Sequence, residues 1–192
     1  MTCIVAVTDG RRVVVGGDSA ASSVPAIEVL STEKVFTVGP YAIGFTRSYR
    51  MGQLLRHRIE LPEPPQTEDL EALERFMVTD FVEAVREGFE ELGFGSHLQQ
   101  KITEKHTTQG QRVGGVFVVG VAGQLFSVRE EYQVIRPQHP FTAVGAGAGI
   151  ALGSLHALAS TNTSLRERAE LALRASEAYS AIVRGPFHFV EV

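Results

Sequence analysis

The sequence predicts an α+β fold arranged as a four-layer αββα sandwich. Three observations carry this. Two strand-rich blocks alternate with two pairs of helices along the chain. The strand segments are nearly continuous apolar runs rather than alternating ones, as expected of strands covered on both faces. The longest helical segment carries a wide apolar stripe, so it lies against a sheet rather than free in water. Two sheets buried on both faces need each other inside and helices outside. The 192 residues suffice for one full domain, and residues 1–192 are read as a single unit.

The elements follow in order. Segments 3–8 and 12–17 are joined by Asp9-Gly10, a hairpin signal because both positions tolerate positive φ. Segments 34–38 and 41–45 form a second pair, broken at Gly39-Pro40. Residues 48–59 read as a helix with Met51, Leu54 and Leu55 on one face, ended by Pro62, Pro64 and Pro65. Thr67 is the expected cap of the next helix, with Glu68 and Asp69 favouring its N-terminal dipole. Leu70, Leu73, Phe76, Met77, Phe81, Val85 and Phe89 form its stripe and read as core. Residues 93–111 are polar and glycine-punctuated, the pattern of a loop. Segments 115–121 and 124–128 make a hairpin about Ala122-Gly123, and 132–135 supplies a third strand. A glycine-rich turn then opens a helix over 150–159. Ser164-Leu165-Arg166-Glu167 is a capping box for a last helix running to 182, and Phe187-His188-Phe189-Val190 is a closing strand.

Composition narrows the function classes. A net charge of −4 favours neither nucleic acid nor an anionic membrane as partner. No apolar run approaches the roughly 18 residues of a spanning helix, and no leader pattern opens the chain. The chain begins on its first strand, so no long propeptide is expected. A lone cysteine excludes an internal disulfide framework. Together these point to the cytoplasm, or to a viral protein expressed there.

The chemistry concentrates near the start. Loss of Met1 leaves Thr2 with a free α-amine beside its own hydroxyl. An α-amine titrates near about 7.7–8.0 and can serve as general base to that hydroxyl. Asp18 ends one apolar strand and Lys34 opens another. A lysine lowers a nearby nucleophile's proton affinity, and a carboxylate paired with it fixes its position and charge.

Thr2, the hairpin leading to Gly17-Asp18-Ser19-Ala20-Ala21-Ser22, Lys34, and Gly44-Phe45 after Ala42-Ile43 resemble the pattern of proteasome β subunits. The likeness is best to HslV and its diverged bacterial homologues, and it continues through the glycine turn 144–153 to the closing strand. The resemblance implies an N-terminal nucleophile hydrolase fold and a threonine peptidase without cofactor or metal. Gly44 would be the oxyanion donor, and Ala21, Ser22, Thr46 and Arg47 would meet an extended substrate strand. It also implies stacked homo-oligomeric rings of six or seven subunits, fed unfolded polypeptide by a separate AAA+ unfoldase. Two departures stand out. Relatives carry a serine in the glycine turn, where this chain has Ala146 and Ala148. Their Asp-x-x-Ser after the last long helix is matched only by Glu177-Ala178-Tyr179-Ser180. A catalytically silent ring subunit and an amidohydrolase of small metabolites are the alternative readings.

Other candidates are weaker. The glycine turn lacks the Gly-Lys-Ser/Thr ending of a phosphate loop. His97, His106 and Glu104 share a polar stretch but no cysteine lies near them. His188 reads as a strand residue. Cys3 reads as a buried strand thiol, and it would be second in the chain after loss of Met1.

Overall fold

A computed structural model describes residues 2–23, 26–94 and 115–192. The expected first hairpin is present as β1 (Cys3–Thr8) and β2 (Val13–Gly17). Asp9 Oδ1 accepts the amides of Arg11 and Arg12 at 3.0 and 2.8 Å, closing the turn with the local side-chain bonds that favour Asp there. With β10 (Phe141–Gly145) and β11 (His188–Glu191), these strands form an antiparallel sheet of order β10-β1-β2-β11. The second sheet has the order β5-β6-β7-β8-β9, made of Val35–Val38, Tyr41–Phe45, Phe117–Val121, Gln124–Val128 and Val134–Ile135.

The apolar continuity of the strands has the cause expected of it. On β1, Ile4 and Ala6 point between the sheets, where they meet Val13, Val15, Val35, Ala42 and Val118. Cys3, Val5 and Val7 point the other way, against Leu155, Ala169, Ala172 and Leu173 of the outer helices. The second sheet does the same: Ile43, Phe45, Phe117 and Val119 pack outward on Met51, Leu55, Phe81 and Phe89. Four layers result, two sheets inside and helices on both outer faces.

The first helical layer contains α1 (Tyr49–His57), capped by Ser48, whose Oγ accepts the Met51 amide at 3.2 Å. α2 (Leu70–Phe76) is capped by Asp69 rather than Thr67. Thr67 Oγ1 instead accepts the Asp69 amide at 3.0 Å and shapes the approach. A π turn, Met77–Phe81, joins α2 to α3 (Val82–Glu91). The apolar stripe explains that turn. Met77, Phe81, Val85 and Phe89 recur at every fourth residue, which drifts by about 40° per step on an α-helix. A wider turn absorbs the drift and keeps all four side chains buried.

The second helical layer contains α4 (Ala148–Leu158), which starts two residues before the expected point, and α5 (Leu165–Tyr179). Ser164 caps α5 as expected, its Oγ accepting the Glu167 amide at 3.2 Å. α5 stops at Tyr179 instead of 182, where the Arg184 guanidinium takes the carbonyls of Ser180 and Val183. Three further features differ from the sequence reading. β3 (Ala20–Ser23) and β4 (Ala26–Val29) form a small two-stranded hairpin of their own. β9 is only two residues long, because Glu130–Tyr132 makes a tight turn before it. The closing strand starts at His188 rather than 187.

Candidate active site

Asp18 follows β2, Lys34 precedes β5, and the sandwich buries both side chains almost completely, at 1% and 2% exposed. Lys34 Nζ donates to Asp18 Oδ1 at 2.8 Å and to the Ala20 carbonyl at 2.6 Å. Asp18 Oδ1 also accepts the Cys3 amide at 3.0 Å, and Oδ2 accepts the Ala20 amide at 3.2 Å. A buried pair of this kind is tolerable only when further hydrogen bonds support it, and here the Cys3 and Ala20 amides and the Ala20 carbonyl supply three. Burial pulls the Lys34 ammonium below its ordinary value of 10.5, with the Asp18 charge opposing. One carboxylate oxygen thus joins the lysine to the residue next to Thr2.

Thr2 precedes β1 and is itself buried, yet it borders a cavity of about 750 Å³ together with Thr46, Arg47, Gly145 and Ala146. The glycine turn closes on it from β10. Gly145 has φ 97, and a side chain there would collide with the Thr2 carbonyl oxygen, so the close approach requires glycine. The Gly147 amide donates to that same carbonyl at 3.3 Å. Ser176, fully buried on α5, holds the turn from beneath. Its Oγ lies 3.1 Å from the Gly147 carbonyl and accepts from Cys3 Sγ at 3.5 Å. Sequence reading missed Ser176. Its signal was a polar residue in phase with Ala169, Ala172 and Leu173 on the buried face of a helix.

The opposite wall is a strained turn. Thr46 is tied to Val116 through its amide (2.9 Å) and its hydroxyl, which donates at 2.9 Å and accepts at 3.1 Å. The Ser48 amide folds back on the Thr46 carbonyl at 2.8 Å, and Arg47 between them has φ 64. This is a γ-turn of the rare positive-φ kind. Strain of this sort persists only where surroundings over-determine it, and it concentrates at functional sites. The turn after β8 also lines the cavity, through Arg129, Glu130, Glu131 and Gln133.

The remaining sequence-predicted residues fall as follows. Gly44 is not among the cavity residues. It lies in mid-β6 with Val35 and Val118 as strand partners on either side. A Cβ there would come within 3.0 Å of Val15 Cγ1, so its smallness permits the close contact between the sheets. Ala21 and Ser22 stand on β3, opposite Glu28 and Ile27. Among the described residues β3 is paired on one side only, as strand addition requires. Glu177 and Ser180 do not reach the cavity. Glu177 Oε1 accepts the Gly185 amide at 2.8 Å, and Ser180 ends α5. Their effect is indirect: the segment they fasten receives Ser19, whose amide meets the Arg184 carbonyl (2.9 Å) and whose Oγ meets the Pro186 carbonyl (2.6 Å). Ser19 is the neighbour of Asp18. Cys3 is buried as expected, and desolvation pushes its thiol up to about 11, so it remains protonated at neutral pH. His188 lies 3.3 Å from Glu33 on β11. His97, Glu104 and His106 lie outside the described residues, and among those described no three ligating side chains gather.

No protein-family model and no curated protein matches the sequence. Solved structures do match. BPH of Thiobacillus denitrificans, a bacterial proteasome homologue solved in complex with epoxomicin, superposes with a TM-score of 0.72 at 17% identity, covering 99% of this chain and 97% of that one. HslV from Trypanosoma brucei gives 0.68 at 18% identity over 98% of both chains. The chain has the proteasome-like fold. An Anbu (Gly-1) mutant from Hyphomicrobium sp. strain MC1 shares it less fully, at a TM-score of 0.63 and 17% identity over 99% of this chain and 80% of that one. In the proteasome-like fold of this chain, the start of β1 and the glycine turn meet at one cavity, and the buried ion pair is bonded to the Cys3 amide beside Thr2.

Proposed function

We propose that this chain, freed of Met1, is a threonine peptidase of the HslV-like class and a subunit of a homo-oligomeric ring. The observation that carries the reading is the buried Lys34–Asp18 pair, clasped to the Cys3 amide immediately after Thr2. The Thr2 amine takes the proton of its own hydroxyl, directly or through one water. Oγ1 attacks the peptide carbonyl, the amine returns the proton to the departing amine, and an acyl ester remains. Water then cleaves the ester with the same amine as base, restoring the hydroxyl. Lys34 stabilises the developing negative charge on Oγ1, and Asp18 positions Lys34.

For the oxyanion donor, the Arg47 amide replaces Gly44. It borders the cavity and has no acceptor among the described residues. The open edge of β3 supports binding of an extended chain beside Ala21 and Ser22. The fuller assembly belongs to the same proposal: stacked rings of six or seven subunits, in the cytoplasm, fed unfolded polypeptide by a separate ATP-driven unfoldase. Ala146, which offers no side-chain hydroxyl at the cavity, favours the second reading, a silent ring subunit.

The test joins two measurements. Intact mass is expected to show loss of Met1, and a threonine-directed covalent inhibitor is expected to add its mass to the N-terminal peptide. Thr2→Ala is expected to abolish both labelling and peptide hydrolysis while the assembly survives. Hydrolysis unchanged in that variant rejects the mechanism. Retained Met1 with no turnover selects the silent subunit.

A further inference from the structure

We propose that Arg129 makes the cavity beside Thr2 selective for peptides carrying a carboxylate close to the scissile bond. The inference rests on the threonine-peptidase reading of the same cavity and adds its substrate class. Four charged side chains line that cavity: Arg47, Arg129, Glu130 and Glu131. Arg47 Nη1 meets Glu130 Oε1 at 3.5 Å, so these two largely cancel. Glu131 is also engaged rather than free. Among the described residues the Arg129 guanidinium has no carboxylate within ion-pair reach. It is the charge on the cavity wall left to be met by a ligand.

The backbone that carries Arg129 is set rather than loose. Its amide donates to the Gln133 carbonyl at 2.9 Å, closing the turn. Glu131 and Tyr132 inside it have φ 61 and 59, two successive side-chained residues in the left-handed region. That conformation is costly and persists where the surroundings enforce it. The anchor is visible: Tyr132 and Val134 pack against the core beneath the second sheet. Of the four non-glycine residues with positive φ among those described, three are Arg47, Glu131 and Tyr132, all in the two turns that flank the cavity. Both turns therefore carry their charged residues on set backbone along the cavity that Thr2 borders. A guanidinium fork matches a carboxylate in two parallel hydrogen bonds and offers nothing to an ammonium. The carboxylate has two possible sources, an Asp or Glu side chain of the substrate or its free C-terminus.

Internally quenched peptides that differ only at the residue before the scissile bond (Glu, Gln, Leu or Lys), each with a free or amidated C-terminus, separate these sources. For the wild type, kcat/KM is expected to favour Glu over Gln by about tenfold, with Lys poorest. The preference is expected to shrink as salt rises, because Arg129 is solvent-facing. Arg129→Gln is expected to bring Glu and Gln within about twofold, and Arg129→Glu to turn the preference towards Lys. A preference that follows the free C-terminus instead assigns the terminal carboxylate as the ligand of Arg129. Anisotropy of the same peptides, labelled and unquenched, on the Thr2→Ala variant reads selection without turnover. Hydrolysis without any carboxylate preference overturns this inference and leaves the peptidase reading standing. Arg129-dependent binding of Glu peptides with no hydrolysis by the wild type does the reverse. Equal binding of Glu and Gln peptides, or a preference that survives Arg129→Gln, refutes the role of Arg129.

Discussion

Lys34 shows how one side chain serves both stability and the proposed chemistry. Lys34→Ala leaves Asp18 buried with only the Cys3 and Ala20 amides as partners. Removing one member of a buried pair costs about 3–5 kcal/mol. Loss of an electrostatic stabiliser at a reacting centre costs about 10²–10³ in kcat. Guanidinium unfolding and peptide turnover are therefore both expected to fall, and a turnover loss under about threefold would remove Lys34 from the mechanism. The pH dependence has a definite sign. Burial lowers the folded-state pKa of Lys34 below 10.5, so between the folded value and 10.5 the unfolded chain holds the extra proton. Stability contributed by this group rises with pH across that window. The gap between wild type and Lys34→Ala is expected to widen there in unfolding titrations. Cys3 offers the contrast: adjacent to Thr2 in sequence, it faces the helices, and burial raises its thiol to about 11.

At the scale of elements, the glycine turn between β10 and α4 decides where Thr2 sits. Gly145→Ala puts a Cβ against the Thr2 carbonyl at a φ that side chains rarely adopt. The expected cost is about 1–3 kcal/mol for the backbone alone. Activity is expected to fall more than stability predicts, since the strand start that carries Thr2 must shift to relieve the clash. Thermal unfolding set beside turnover of the folded fraction checks this, and an unaltered Tm would show that the turn yields without cost. The apolar pattern and the caps made this region partly legible: Ser164 was read as a cap, and the glycine-rich turn as the opening of a helix, while the fold brings that turn against Thr2. Asp69 displaced Thr67 as a cap because both are good capping residues, and only the path of the chain into α2 chooses between them.

At the scale of the whole molecule, α4 is the element that a lone subunit leaves unexplained. Its eleven residues contain no Asp, Glu, Lys or Arg, yet only Ala151 and Leu155 are buried. Leu152 is 37% exposed, as is Leu171 of neighbouring α5 at 39%. A helix with no charged residue is ordinarily more enclosed than this, and we expect a second copy to cover it in the proposed ring. Leu152→Glu is expected to shift native mass from ring to smaller species, while the isolated subunit changes stability by only about 0.5 kcal/mol. A wild type that stays monomeric at micromolar concentration would refute the ring, and Leu152 would be an ordinary exposed apolar residue.

What the sequence by itself determined was whatever depends on local pattern: strands sheathed on both faces, helices with one apolar stripe, and a threonine, aspartate and lysine at suggestive spacing. Burial periodicity and capping are properties of neighbours along the chain, so they can be read there. Tertiary structure alone decided the rest. Gly44 became a spacer between sheets because Ile4 and Val15, far away in the chain, come to face it. Arg47 took up a strained turn because Val116 holds Thr46 from another strand. The 129–133 turn reached the cavity, and Ser176 reached the glycine turn, by packing across layers. Each of these roles is set by residues that meet only when the sheets and helices close on one another, and no local pattern encodes such a meeting.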